Sequence, residues 1–288
     1  METAKLQDLA LKDLVRARYG AIAAGTLGDS AAPASACCDG DKDAILAAKA
    51  SEMGYSADEL AAVPEGANLG LGCGNPQAIA ALEPGDVVVD LGSGAGFDCL
   101  LAAPRVGPGG RVIGVDMTHE MLAKARANAA RVGATNVEFR LGEIEHLPIA
   151  DQVADVIISN CVVNLVPDKA QVFREAFRVL KPGGRVAISD VVNTAPLSED
   201  LRSDPALLCG CVSGAVPAEQ VEALLCAAGF TDIAITVKSG SRAMIADWAP
   251  GRGIENCVAA AIIEARKPGT DEAMAQTASA HLARRCCG

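Results

Sequence analysis

Asp90-Leu91-Gly92-Ser93-Gly94-Ala95-Gly96-Phe97-Asp98 follows the apolar run Val87-Val88-Val89 and leads into a second apolar segment, Cys99 to Ala103. That order predicts a strand, a glycine-rich turn and the start of a helix. The glycines permit positive φ in the turn and let a ligand approach the backbone. Phe97 directly follows the third glycine, so the spacing is G-x-G-x-G and not the G-x-G-x-x-G of a dinucleotide fingerprint. A further strand-like run, Arg111 to Val115, ends at Asp116, 24 residues after Gly92. A carboxylate at that place can accept both hydroxyls of a ribose. The stretch reads as a site for an adenosine-like nucleoside, with little room for a pyrophosphate.

From residue 86 onward strand and helix patterns alternate, as in a parallel sheet covered on both faces. Strands are expected near 86–91, 111–115, 136–140, 155–159, 184–190, 232–238 and 257–265, and helices at 118–131 and 168–179 and from Pro217. Before them come an amphipathic helix over 3–18, ended by Tyr19-Gly20, and a small-residue linker, Gly28 to Ser35, that leads to Cys37-Cys38. Asp41 opens a helix to about Met53, and Ser56-Ala57-Asp58-Glu59 has the capping-box form. In Gly70-Leu71-Gly72-Cys73-Gly74-Asn75-Pro76 the glycines forbid regular structure, and Asn75 and Pro76 read as N-cap and first helical position. Residues 197–216 read as a loop, and the tail as helical to about Arg285.

The formal charge of −11 argues against nucleic acid or an anionic membrane as partner. No apolar run reaches the ~18 residues of a membrane span, and Met1 to Lys5 does not open a signal peptide, so a cytoplasmic protein is expected; a monomer is also expected, though these features do not fix the oligomeric state. Eleven cysteines are then unusual, because a reducing compartment disfavours a disulfide scaffold. Two pairs, Cys37-Cys38 and Cys286-Cys287, are adjacent, no C-x-x-C occurs and only three histidines are present, which does not suit a zinc ribbon. Cys99, Cys226 and Cys257 fall on helix or strand faces and read as small core residues. The strand Asp155 to Ser159 delivers Asn160 and Cys161 to the carboxyl end of the sheet, where open α/β folds bind ligands.

DLGSGAGFD at 90–98 with VDMT at 115–118 resembles the cofactor motifs of class I S-adenosylmethionine-dependent methyltransferases. LGCGNP at 71–76, GEIEHLP at 142–148, SNCVVNL at 159–165 and CVSGA at 211–215 narrow the likeness to arsenite methyltransferases, over about residues 37–267. The resemblance implies an α/β fold with a Rossmann-like seven-stranded sheet and an appended smaller C-terminal arsenic-binding region. It divides the chain into a helical segment and linker (1–60), a cofactor domain (61–195), a substrate region (196–267) and a cysteine-containing tail (268–288). By that likeness Cys73, Cys161 and Cys211 hold arsenic(III), and Cys37 or Cys38, with Cys38 the one chosen, takes part in the redox steps. Asp90, Gly92, Ser93, Gly94, Gly96, Asp116, Met117, Ile144, Glu145 and Asn160 fall where the family contacts S-adenosylmethionine. Cys209 departs from the pattern.

Trivalent arsenic is soft and thiolates are the soft ligands of proteins. Its lone pair carries no proton, so transfer of a methyl group needs positioning and a dry site but no general base. The implied activity is methylation of arsenite and methylated arsenicals for detoxification, with a thiol reductant, glutathione or thioredoxin, restoring the cysteines. Two other readings are a methyltransferase for a quinone-type carbon acceptor, disfavoured by 3% aromatic residues, and a thiol-rich binder of metalloid or zinc that does no chemistry.

Overall fold

In the computed structural model, which describes residues 2–26 and 42–271, seven strands form one sheet. Helices α1 (Glu2–Ala23), α2 (Lys42–Glu52) and α3 (Ala57–Ala62) precede it. The sheet then alternates with helices as β1 (Val87–Leu91), α4 (Phe97–Val106), β2 (Arg111–Asp116), α5 (His119–Arg131), β3 (Val137–Leu141), β4 (Ala154–Asn160), α6 (Lys169–Val179) and β5 (Leu180–Asn193). It closes with α7 (Glu199–Arg202), α8 (Pro205–Cys209), α9 (Ala218–Ala228), β6 (Thr231–Val237), α10 (Arg242–Ala246) and β7 (Val258–Arg266).

The strand order is β3-β2-β1-β4-β5-β7-β6. β1 to β5 run parallel, and β7 pairs antiparallel with both β5 and β6. The apolar runs are continuous because helices cover both faces. Val89, Ile113 and Ile157 pack under α6 and α9 with Phe173 and Leu225, whereas Val88, Val112 and Val156 face α4 and α5. The boundary at 195/196 falls between strands of one sheet, since β6 and β7 complete it.

A third apolar cluster caps the carboxyl ends of the strands. Val15 of α1, Leu201, Leu207 and Ile245 meet Cys73, Cys161, Cys209 and Cys211 there. Two expectations are corrected in this cap. Residues 197–216 are not a plain loop: Asp204 caps α8 by accepting from the Ala206 amide, with Pro205 at the first helical position. Tyr19-Gly20 does not end α1, which runs three residues further to Ala23. Gly20 is buried, and a Cβ there would stand 3.2 Å from the Glu120 carboxylate, so the small residue is a packing feature and not a stop.

The capping box at Ser56 forms, and Asn75 accepts from the Gln77 amide to start a short 3-10 turn at Pro76. β5 begins at Leu180, ahead of the expected 184, because Leu180 pairs with Ala154 before the register shifts at Lys181 to Gly184. Among the described residues no helix is long and apolar enough to cross a membrane. Cys37, Cys38, Cys286 and Cys287, the linker and the expected helical tail lie outside the described residues.

Candidate active site

The sheet order reverses between β1 and β4, and the crevice at that point holds two adjoining cavities. The first encloses about 1060 Å³ of empty space, part of it open to solvent, and the second about 1010 Å³. Both are lined by Tyr19, Met53, Leu71, Gly72 and Cys161, so those residues form the partition.

The glycine turn forms one wall of the first cavity. Gly92, Gly94 and Gly96 have φ of 72°, 51° and 88°. A Cβ on Gly92 would strike the Val162 side chain, and one on Gly96 would stand 2.9 Å from the Phe139 ring. Asp116 orders the turn by accepting from the Gly94 amide (2.9 Å) and the Thr118 amide (2.8 Å). Of the ten residues expected at the cofactor, nine line this cavity; Gly96 does not, because it caps α4 and packs on Phe139. Ser93 Oγ is buried in the wall without a hydrogen-bond partner, a group that a bound ligand can satisfy.

Acid lies at the base of this cavity. Burial raises the Asp98 carboxyl to about 6, against the hydrogen bonds that Tyr55 and Asn160 donate to it. Burial, with Asp98 nearby, also holds the Asp90 carboxyl well above the usual range, and the Cys99 thiol donates to Asp90. α1 closes the opposite side: Lys12 Nζ pairs with Glu143 at 2.6 Å and with buried Glu145 at 2.9 Å.

Asn160, in the wall of the first cavity, ties β4 to the 71–76 loop. Its Oδ1 accepts from the Cys73 amide at 3.1 Å, and its Nδ2 donates to Gly74 O at 2.8 Å and Tyr55 Oη at 3.0 Å. Gly72 has no room for a side chain because Asn160 Nδ2 stands 2.9 Å from where a Cβ would be.

The three expected cysteines converge although they lie far apart in sequence. Cys73 and Cys161 are joined by a disulfide with Cα atoms 6.0 Å apart. The 88-residue separation is closed because the 71–76 loop is tied to β4 through Asn160. Cys211 Sγ donates to Cys161 O at 2.8 Å. Cys161 and Cys211 have φ of 55° and 63°, left-handed backbone that costs a non-glycine residue on the order of 1–3 kcal/mol. Such strain persists only where the surroundings enforce it. Burial pushes the Cys211 thiol up, so it is protonated at neutral pH. Cys209, the departure from the family pattern, is buried in the wall of the second cavity and accepts at its carbonyl a 3.0 Å hydrogen bond from Tyr19 Oη.

Of the cysteines read as core, Cys99 is buried, Cys257 is partly exposed and Cys226 is exposed on α9; that reading fails for Cys226 because its helix position faces solvent. Asp190 and Asn164, which sequence reasoning missed, stand behind the disulfide. Asp190 accepts from Asn164 Nδ2 and the Val191 amide, each at 2.8 Å. Asn164 lies in the SNCVVNL segment, the one sequence signal that could have marked this pair.

Residues 82–243 match the methyltransferase domain family. An arsenite methyltransferase of Halobacterium salinarum is 52% identical over 267 residues, covering 91% of this chain and 68% of the relative. The chain belongs to the arsenite methyltransferase family. The human arsenite methyltransferase is 40% identical over 152 residues, and the matched part spans 40% of its length. Among solved structures, an arsenic(III) S-adenosylmethionine methyltransferase from Chlamydomonas reinhardtii superposes with a TM-score of 0.56 at 35% identity, covering 77% of this chain and 73% of that one. The seven-stranded class I methyltransferase fold expected of this arsenite methyltransferase family member is therefore the fold observed.

Proposed function

We propose that this family member is an S-adenosylmethionine-dependent arsenite methyltransferase that holds arsenic(III) on Cys73, Cys161 and Cys211. The observation that carries the reading is the position of Cys161: it lines both cavities, is bonded to Cys73, and lends its carbonyl to the Cys211 thiol. That position supports a three-sulfur site against the cofactor cavity.

The first cavity fits S-adenosylmethionine by its donor set. Asp116 faces a ribose, Ile144 and Met117 supply apolar walls for an adenine, the orphaned Ser93 hydroxyl awaits a partner, and Asp98 offers negative charge to a methionyl ammonium. When bound, S-adenosylmethionine supplies a methyl group on a sulfonium, the electrophile that an arsenic lone pair requires. Tyr19, Met53 and Leu71 keep the partition between the cavities apolar, which excludes water from the meeting point.

Loading of the cysteines needs no base. Arsenite, As(OH)₃, exchanges each hydroxyl for a sulfur, and each thiol proton leaves with the hydroxide as water. The Cys73–Cys161 disulfide must first take up two electrons and two protons, the task of a thiol reductant such as glutathione or thioredoxin. Cys38 is assigned to the same redox relay.

The test is turnover with arsenite, S-adenosylmethionine and a thiol reductant, reading arsenicals and adenosylhomocysteine together by mass spectrometry. Methylarsenicals carrying one methyl per adenosylhomocysteine support the reading. Adenosylhomocysteine without methylated arsenic overturns it.

A further inference from the structure

Behind the disulfide lies a group that the methylation reading does not use. Asp190 is 2% exposed, and its carboxylate oxygen and the Sγ atoms of Cys73 and Cys161 all lie within 4.8 Å of one another. Among the described residues this is the one trio of cysteine, histidine or acidic side chains so placed. We propose that, once the disulfide is reduced, Cys73, Cys161 and Asp190 form a two-sulfur, one-oxygen site for a thiophilic divalent cation of the zinc class.

The donors suit that ion. Zinc takes cysteine sulfur at about 2.3 Å and carboxylate oxygen at about 2.0–2.2 Å in a tetrahedron, which sets the donors about 3.6–3.8 Å apart. Reaching that arrangement from a trio already within 4.8 Å takes shifts of about 1 Å. The carboxylate is held for the role: Oδ1 accepts from Asn164 Nδ2 and the Val191 amide at 2.8 Å, Oδ2 accepts from the Asn164 amide at 3.3 Å, and the Val163 amide donates to the same carboxylate. The orientation of the carboxylate is fixed by the outer hydrogen bonds that ligating carboxylates usually carry. Two thiolates and one carboxylate also offset the charge of a dication, even with the Lys169 ammonium acting on Asp190.

The steps balance. A phosphine with one water reduces the disulfide to two thiols and becomes the phosphine oxide. Binding of the cation then releases the two thiol protons. Because two of the three donors are also the proposed arsenic ligands, the cation and arsenite compete.

The experiment uses the 288-residue chain with Cys37, Cys38, Cys286 and Cys287 changed to serine, so that the adjacent thiol pairs do not bind metal. After phosphine reduction and removal of the phosphine without oxygen, zinc(II) is titrated in equilibrium dialysis. The expected result is one zinc per reduced chain, none at that affinity for the oxidised chain, and none for Cys161→Ser. Asp190→Asn should weaken binding about tenfold or more, the scale of a lost metal-site partner. No zinc on the reduced chain, or the same affinity in Asp190→Asn, overturns the proposal. X-ray absorption at the zinc edge covers the case in which Asp190→Asn does not fold: two sulfurs with oxygen support the site, and a sulfur-only shell refutes it. None of these readouts involves methyl transfer, so the proposal can fail or hold apart from the reading of the reaction.

Discussion

Tyr19 Oη donates to the carbonyl of Cys209 across 190 residues of sequence, at 3.0 Å. The bond ties the first helix to the loop that presents Cys211, and the same tyrosine lines both cavities. Tyr19→Phe removes the bond and keeps the ring. The expected loss is about 0.5–1.5 kcal/mol of stability, the net worth of one hydrogen bond. The KM for arsenite should rise while cofactor affinity stays within about twofold. Chemical denaturation and steady-state kinetics check the two halves.

Asp116 carries a charge-assisted hydrogen-bond role. Its two oxygens order Gly94 and Thr118 and remain on the cavity wall. Asp116→Ala should weaken S-adenosylmethionine binding by about 1.5–3 kcal/mol. Calorimetry reads this directly, and an unchanged affinity removes the ribose assignment.

Gly92 has φ of 72° and no space for a side chain against Val162. Gly92→Ala should therefore cost on the order of 1–3 kcal/mol in stability and displace the Gly94 amide from the cavity wall. Thermal unfolding and cofactor calorimetry should both register the change; a variant with wild-type affinity would falsify the close-approach role.

Asp98 sets a pH dependence. Its carboxyl is raised to about 6 by burial, so cofactor affinity that relies on its charge should be full above that pH and fall as pH drops through it. Folding of the cofactor-free chain carries the opposite sign. A carboxyl raised above its ordinary 3.8 favours the fold while protonated, and that contribution is lost as pH rises through about 6. Calorimetry with S-adenosylhomocysteine and denaturation of the free chain, both from pH 5 to 7.5, should move in opposite directions.

The sheet was legible because its signals are local. Val87 to Gly96 carries a strand, a turn and a helix start within ten residues, and β2 repeats the logic up to Asp116. The convergence of Cys73, Cys161 and Cys211 was not readable from spacing; it came from likeness to a family. The residues around the two cavities were missed for a physical reason. Tyr19, Asp98 and Asp190 owe their roles to packing between segments remote in sequence, and no periodicity marks such a meeting. Gly20 misled for a related reason: a glycine before a small-residue stretch reads as a helix stop, but here it admits the Glu120 side chain. The disulfide pairing was not legible because it depends on Asn160, which ties the 71–76 loop to the end of β4.

The most direct measurement is X-ray absorption at the arsenic edge, on the reduced chain with one equivalent of arsenite. Three sulfur neighbours are expected in the wild type, falling to two in Cys73→Ser, Cys161→Ser and Cys211→Ser and staying at three in Cys209→Ser. Three sulfurs retained in Cys211→Ser, or a sulfur lost in Cys209→Ser, would contradict the assignment of the arsenic site.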